Sequence, residues 1–140
     1  MKAVVYTDGK TGWVAQGTQS INLAGPQAKQ TNGDLFRSYI GLLLSSQVEG
    51  RTVSAIDTDT LEISDKSGNL ARLTLDASTH LPARLSYDAV SVTGTAPNVQ
   101  ESYADFRDIG GLKIPYKISM MNGGKPYGDL TVSDFRINTA

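Results

Sequence analysis

Tyr103-Ala104-Asp105-Phe106-Arg107-Asp108-Ile109-Gly110-Gly111-Leu112-Lys113-Ile114-Pro115-Tyr116-Lys117-Ile118 decides the fold. Two alternating segments flank a Gly-Gly pair, and glycine supplies without steric cost the positive φ angles that two-residue hairpin turns demand. The stretch reads as an antiparallel β-hairpin. Strict alternation sets Glu101, Tyr103, Asp105 and Arg107 on one face and Asp108 on the other. Alternation therefore separates the carboxylates of Asp105 and Asp108, and for Glu101 with Asp105, which share a face, an ion pair from Asp105 to Lys117 or an arginine explains the charges more simply than acid/base work. Gly110-Gly111-Leu112-Lys113 fits no phosphate loop, because a strand rather than a helix follows it.

The same logic extends outward in both directions. Lys2 to Tyr6 and Gly12 to Gln16 read as strands joined through Asp8-Gly9, and a short extended piece over Ser20 to Leu23 stops at Ala24-Gly25-Pro26. From about Gln27 to Ser46 the period changes. Phe36, Tyr39, Ile40, Leu43 and Leu44 recur at three- and four-residue steps, which predicts one amphipathic helix over about 27–46, with Asn32 or Asp34 capping its strongest part. From Arg51 onward the period is two. Val53 and Ala55, Leu61 and Ile63, Leu73 and Leu75, then Leu81 to Tyr87 alternate with polar residues, separated by Asp- and Asn-rich turns around Asp57, Asp65, Asp76 and Asn122. Asp134-Phe135-Arg136 echoes Asp105-Phe106-Arg107, and the two triplets read as the outer strands of a three-stranded meander around 112–121.

The fold class that follows is α+β and mostly β. It is a curved antiparallel sheet or unclosed β-barrel of about seven to nine strands, in a single domain over 1–140, with one main helix over about 27–46 covering the concave face.

Composition narrows the chemistry. The 140 residues contain no cysteine, so disulfides and thiolate metal sites are excluded. A formal charge of −1, with both signs scattered, gives no field that favours nucleic acid. Leu42-Leu43-Leu44 is the longest apolar run, far short of the roughly twenty residues of a membrane-spanning helix. His80 is the sole histidine, sits in a turn before Leu81-Pro82, and reads as a polar turn residue rather than part of a relay. No catalytic constellation, metal motif or cofactor motif is read from the chain. Met1-Lys2-Ala3-Val4-Val5-Tyr6 runs directly into a strand, so the expectation is a piece of a longer protein with a leader or further domain upstream.

One helix covers only part of such a sheet. The remainder must close, dimerise or bind something apolar, and the candidate lining residues are Trp13, Phe36, Tyr39, Ile40, Leu43, Phe106, Tyr116 and Phe135, with Tyr87 beside them.

The hairpin's order of tyrosine, x, aspartate, aromatic, arginine, then glycine, hydrophobic, lysine, hydrophobic, proline resembles bacterial envelope domains of the lipoprotein-carrier type, LolA-like and LolB-like. Asp8-Gly9-Lys10-Thr11-Gly12-Trp13 is similar to that group's early hairpin, and Asp76 to Pro82 to its Asp-x-x-Thr-x-Leu-Pro turn. The resemblance implies an unclosed antiparallel barrel, helices across its opening, and a cavity that in the carriers receives acyl chains. It also implies a periplasmic or secreted location and a lipid or other apolar ligand. Against the carriers, the expectation is that the chain lacks their amino-terminal helix and first strands and has no obvious counterpart of their arginine lid. Similar segments resemble carboxy-terminal accessory regions of secreted insulinase-like zinc metalloproteases, which implies a protein partner or upstream domain. No catalytic residue carries over from either.

Overall fold

The computed structural model describes residues 2–91 and 93–138. Three strands, β1 (Ala3–Thr7), β2 (Gly12–Gln16) and β3 (Gln19–Asn22), form a small antiparallel sheet in the order β1-β2-β3. Two helices follow, α1 (Gly25–Phe36) and α2 (Tyr39–Leu43), then a 3-10 turn at Ser45–Gln47. The remaining strands are β4 (Arg51–Ala55), β5 (Thr60–Asp65), β6 (Leu70–Leu75), β7 (Pro82–Ser91), β8 (Gly94–Ile109), β9 (Leu112–Asn122) and β10 (Lys125–Thr131). They make one seven-stranded antiparallel meander, and its end strands β4 and β10 do not pair with each other, so the sheet is unclosed.

The hairpin that decides the fold is the β8–β9 pair. Ile109 faces Leu112 across Gly110 and Gly111, whose φ angles are 61° and 89°. Asp108 seals the turn, accepting from the Gly111 amide at 2.9 Å and from Lys113, its cross-strand partner, at 3.1 Å. The predicted pairing of Asp105 is resolved towards an arginine. Its ion pair, 3.0 Å long, runs to Arg107 on the same strand and not to Lys117.

The cause is local backbone. Asp105 takes φ 52°, a left-handed conformation, while the register on either side, Ala104 with Lys117 and Phe106 with Pro115, is unchanged. Alternation is broken there. Tyr103 is buried, and Phe106, an odd number of residues away, packs on the same core. The strict alternation read across 101–107 therefore holds only as far as Ala104.

The curved sheet, expected with about seven to nine strands, has seven, with three more in the separate β1–β3 sheet, and the single helix over 27–46 is two helices and a 3-10 turn. Helix α1 starts earlier than predicted, at Gly25, with Pro26 in the first turn where a missing N–H costs nothing. Neither Asn32 nor Asp34 is a cap. Asn32 accepts from the Thr7 hydroxyl at 2.9 Å, and Asp34 pairs with Arg37 one turn on, also at 2.9 Å. Ser38 breaks the run with φ −55° and ψ 138°. Its side chain folds over Gly41, where a Cβ would stand 2.5 Å from the serine oxygen.

That break resets the helical phase. Leu42 becomes the residue facing the sheet, 4% exposed, while Leu43 and Leu44, predicted for the buried stripe, are 44% and 45% exposed. It also carries Tyr39 to the sheet, where the hydroxyl donates to the Lys113 carbonyl at 2.9 Å and the ring meets Tyr103 edge-on at 5.4 Å.

Helix α1 packs against β7. Between helices and sheet lies one cluster of Phe36, Leu42, Ile63, Ala71, Leu73, Leu85 and Tyr103. The Asp134-Phe135-Arg136 triplet lies outside any strand, since β10 ends at Thr131, so the expected outer strand there is occupied by 125–131 instead.

Candidate functional site

The middle of the concave face is filled, but its β4–β7 end is not. Where α2 and the 3-10 turn overhang the short strands, a pocket of about 270 Å³ remains. Its walls are Leu43 from α2, Val53 from β4, Leu61 from β5, Leu75 from β6 and Pro82 from β7, with His80 at the rim. Period-two alternation placed Val53, Leu61 and Leu75 on the apolar side, because the pleat sends alternate side chains to one face, whereas Pro82 falls out of phase with the predicted Leu81, Ala83, Leu85 run beside the register shift at Thr74/Leu75.

The rim is built by a self-contained turn. One oxygen of Asp76 accepts from the amides of Ser78 and Thr79, at 3.0 and 2.8 Å, and from both of their hydroxyls. Those donors hold its carboxyl well below the usual carboxylate range. The turn leaves His80 exposed in a left-handed conformation, φ 57°, anchored by its amide to the Asp76 carbonyl at 2.8 Å.

The helical cover is tied down by Arg51. Its guanidinium donates to the Gly41 carbonyl at 2.8 Å and to the Ser45 hydroxyl at 2.9 Å, and lies 4.6 Å from the centre of the Phe36 ring. Ser45, 2% exposed, in turn donates to Gly41 at 3.1 Å. One side chain at the start of edge strand β4 thus bonds both α2, at Gly41, and the 3-10 turn, at Ser45. Sequence reasoning missed it, since an arginine after Gly50 has no distinguishing pattern.

Towards β8 the concave face carries a polar cluster instead of a hollow. Glu101 accepts from the Tyr87 hydroxyl at 2.7 Å and the Tyr103 hydroxyl at 3.2 Å, and the Arg37 guanidinium stacks 4.2 Å from the Tyr87 ring centre. Burial, reinforced by the Glu101 carboxylate, pushes both phenols well above the usual tyrosine range. They stay protonated near neutrality and serve as hydrogen-bond donors. Glu101 and Asp105 have different partners and form no acid/base pair. Among the described residues, no group of three or more His, Asp or Glu side chains is arranged to hold a metal ion.

The eight lining residues named from the sequence scatter. Leu43 lines the apolar pocket; Phe36 is core, with one face on a separate polar cleft. Tyr39 and Phe106 pack against the core from its margin, and Ile40 is half-buried on α2. Tyr116 is buried on β9 with Arg107 over its ring at 4.1 Å. Phe135 is half-buried beyond β10, and Trp13 stacks on Tyr6 at 5.7 Å in the other sheet. The aromatics drew the reading because they are large. The pocket's walls are aliphatic, and the alternation of Val53, Leu61 and Leu75 was the signal for them.

No family model matches the chain, and no curated protein does. Among solved structures the chain is similar to the crystal structure of the LolA superfamily protein NE2245 from Nitrosomonas europaea. The identity is 22% and the TM-score 0.49, over 85% of this chain and 57% of that one. The chain thus spans less than two thirds of that protein's length.

Proposed function

We propose that the chain is a non-catalytic envelope module, periplasmic or secreted, that holds one apolar chain of a lipid or acyl compound beneath α2. The observation that carries this reading is the aliphatic pocket under a cover made of short helical pieces, broken at Ser38 and held to β4 by Arg51. At about 270 Å³ it lies just below the usual range of ligand-site volumes, which suits a single short chain and not a bulky lipid. The carrier-like motifs of the sequence agree with the same ligand class.

Displacement of a fluorescent fatty acid tests it. The chain should bind saturably at micromolar concentration, and Leu43→Trp, which fills the pocket from an exposed position, should weaken binding about tenfold. Absence of saturable binding, or equal binding by the variant, sinks the reading.

A second reading makes the chain an accessory or interaction domain of a secreted insulinase-like zinc metalloprotease. It is favoured by the β1–β3 sheet, on which Val4, Val5, Tyr6 and Ile21 are exposed among the described residues. Tight binding to such a protease's catalytic domains, without fatty-acid binding, would select it.

A further inference from the structure

A second hollow, of about 730 Å³, opens between the β1–β2 tip, α1 and the β5–β6 turn. Four cationic side chains, Lys10, Lys29, Arg51 and Lys66, line it against three carboxylates, Asp8, Glu49 and Asp65. The lining thus carries a formal excess of one positive charge, and two of the carboxylates accept hydrogen bonds within their own turns. Asp8 accepts from the amides of Lys10 and Thr11, at 2.8 and 2.6 Å, and from the Thr11 hydroxyl, which together hold its carboxyl below the usual range. Asp65 accepts from the amides of Ser67 and Asn69 and from the Asn69 side chain.

The lysines are not so engaged. Among the described residues the ammonium groups of Lys10, Lys29 and Lys66 form no ion pair with the three carboxylates that share the cleft, nor any other side-chain hydrogen bond, as is also true of Lys2, Lys117 and Lys125 outside it. The cleft's mouth is also held in place rather than left to float. The Thr7 hydroxyl at the base of the β1–β2 tip donates to Asn32 of α1, and Arg51 is fixed on its far wall by Gly41 and Ser45.

From this arrangement we infer that the cleft binds a phosphate-class anion. Three lysines from three different segments, the β1–β2 tip, α1 and the β5–β6 turn, line one opening, and lysines act as mobile point charges suited to an anion with several charged oxygens. The phosphate has two possible sources, a lipid headgroup or a free ion. The inference does not rest on the apolar pocket, because the bonded pair Arg51 and Ser45 stands between the two hollows.

Amide-resolved NMR titration at low ionic strength tests it, first with inorganic phosphate, then with dihexanoyl phosphatidylglycerol and dihexanoyl phosphatidylcholine below their micellar concentrations. Phosphate should shift the amides of Gly9, Gly50 and Ser67 saturably, and the effect should weaken when salt rises from about 10 mM to about 150 mM. The double variant Lys10→Gln/Lys66→Gln should lose about tenfold or more in affinity, with Lys117→Gln unchanged. Tighter binding of the phosphatidylglycerol than of phosphate assigns the site to a headgroup, and equal binding assigns it to the free ion. No saturable shift at those amides, or unchanged affinity in the double variant, overturns the site. Fatty-acid displacement reports separately on the pocket.

Discussion

The two sheets are written in the same language and fare differently. Both alternate, both turn on Asp- or Gly-containing tips, and both are fully antiparallel. In the seven-stranded sheet the alternation sends Ile63, Leu73 and Leu85 under the helices, where they are at most 4% exposed. In the three-stranded sheet, neighbours Val4 and Val5 point to opposite faces and are 56% and 55% exposed. Backbone pairing makes a sheet, but cover makes it stable, and a small sheet without cover is marginal in water. The edges diverge too. Strand β10 carries Pro126 and a bulge beside Tyr127, devices that blunt an edge, whereas β1, Ala3–Thr7, has neither.

That contrast is most exposed to refutation at the core. Leu85, 0% exposed beneath α1, should cost roughly 2–5 kcal/mol when cut to alanine, measured by urea unfolding. Trp13→Ala, in the bare sheet, removes only a stacked partner of Tyr6 and should cost about 1 kcal/mol or less. Amide exchange should show the same order, with β1–β3 opening well before β5–β8. If the two substitutions destabilise equally, the small sheet has a cover under solution conditions, and the contrast fails.

Legibility followed the same line. Hairpins were readable because their signals are local: Asp8-Gly9, Gly110-Gly111 and Asn122-Gly123-Gly124 all turn the chain where expected. The helix was readable in place but not in phase, since the break at Ser38 answers to a distant demand, the reach of Tyr39 to Lys113, which no window of sequence contains. Asp105 is a similar case. Its positive φ sits mid-strand between residues of ordinary β character, and only the packing of Phe106 beside Tyr103 reveals it. At the pocket the strand alternation was visible, yet Arg51 was not, because its role comes from the positions of two helix-end oxygens.

The smallest expected effect compares one tip from each sheet. Asp8 and Asp76 are both exposed, and both carboxyls are held below their ordinary value by donors in their own turns. A group whose folded pKa is depressed stabilises above its unfolded value, near 3.8, and that contribution fades as pH falls through the folded one. Asp76 draws on two amides and two hydroxyls, Asp8 on two amides and one hydroxyl, so Asp76 should stay ionised further into acid. On acidification below about pH 4, the amide of Thr11 should therefore titrate before that of Thr79. Coincident titration would mean that the hydroxyl donors add nothing, and the reverse order would mean that the bare sheet holds its tip more firmly than the covered one.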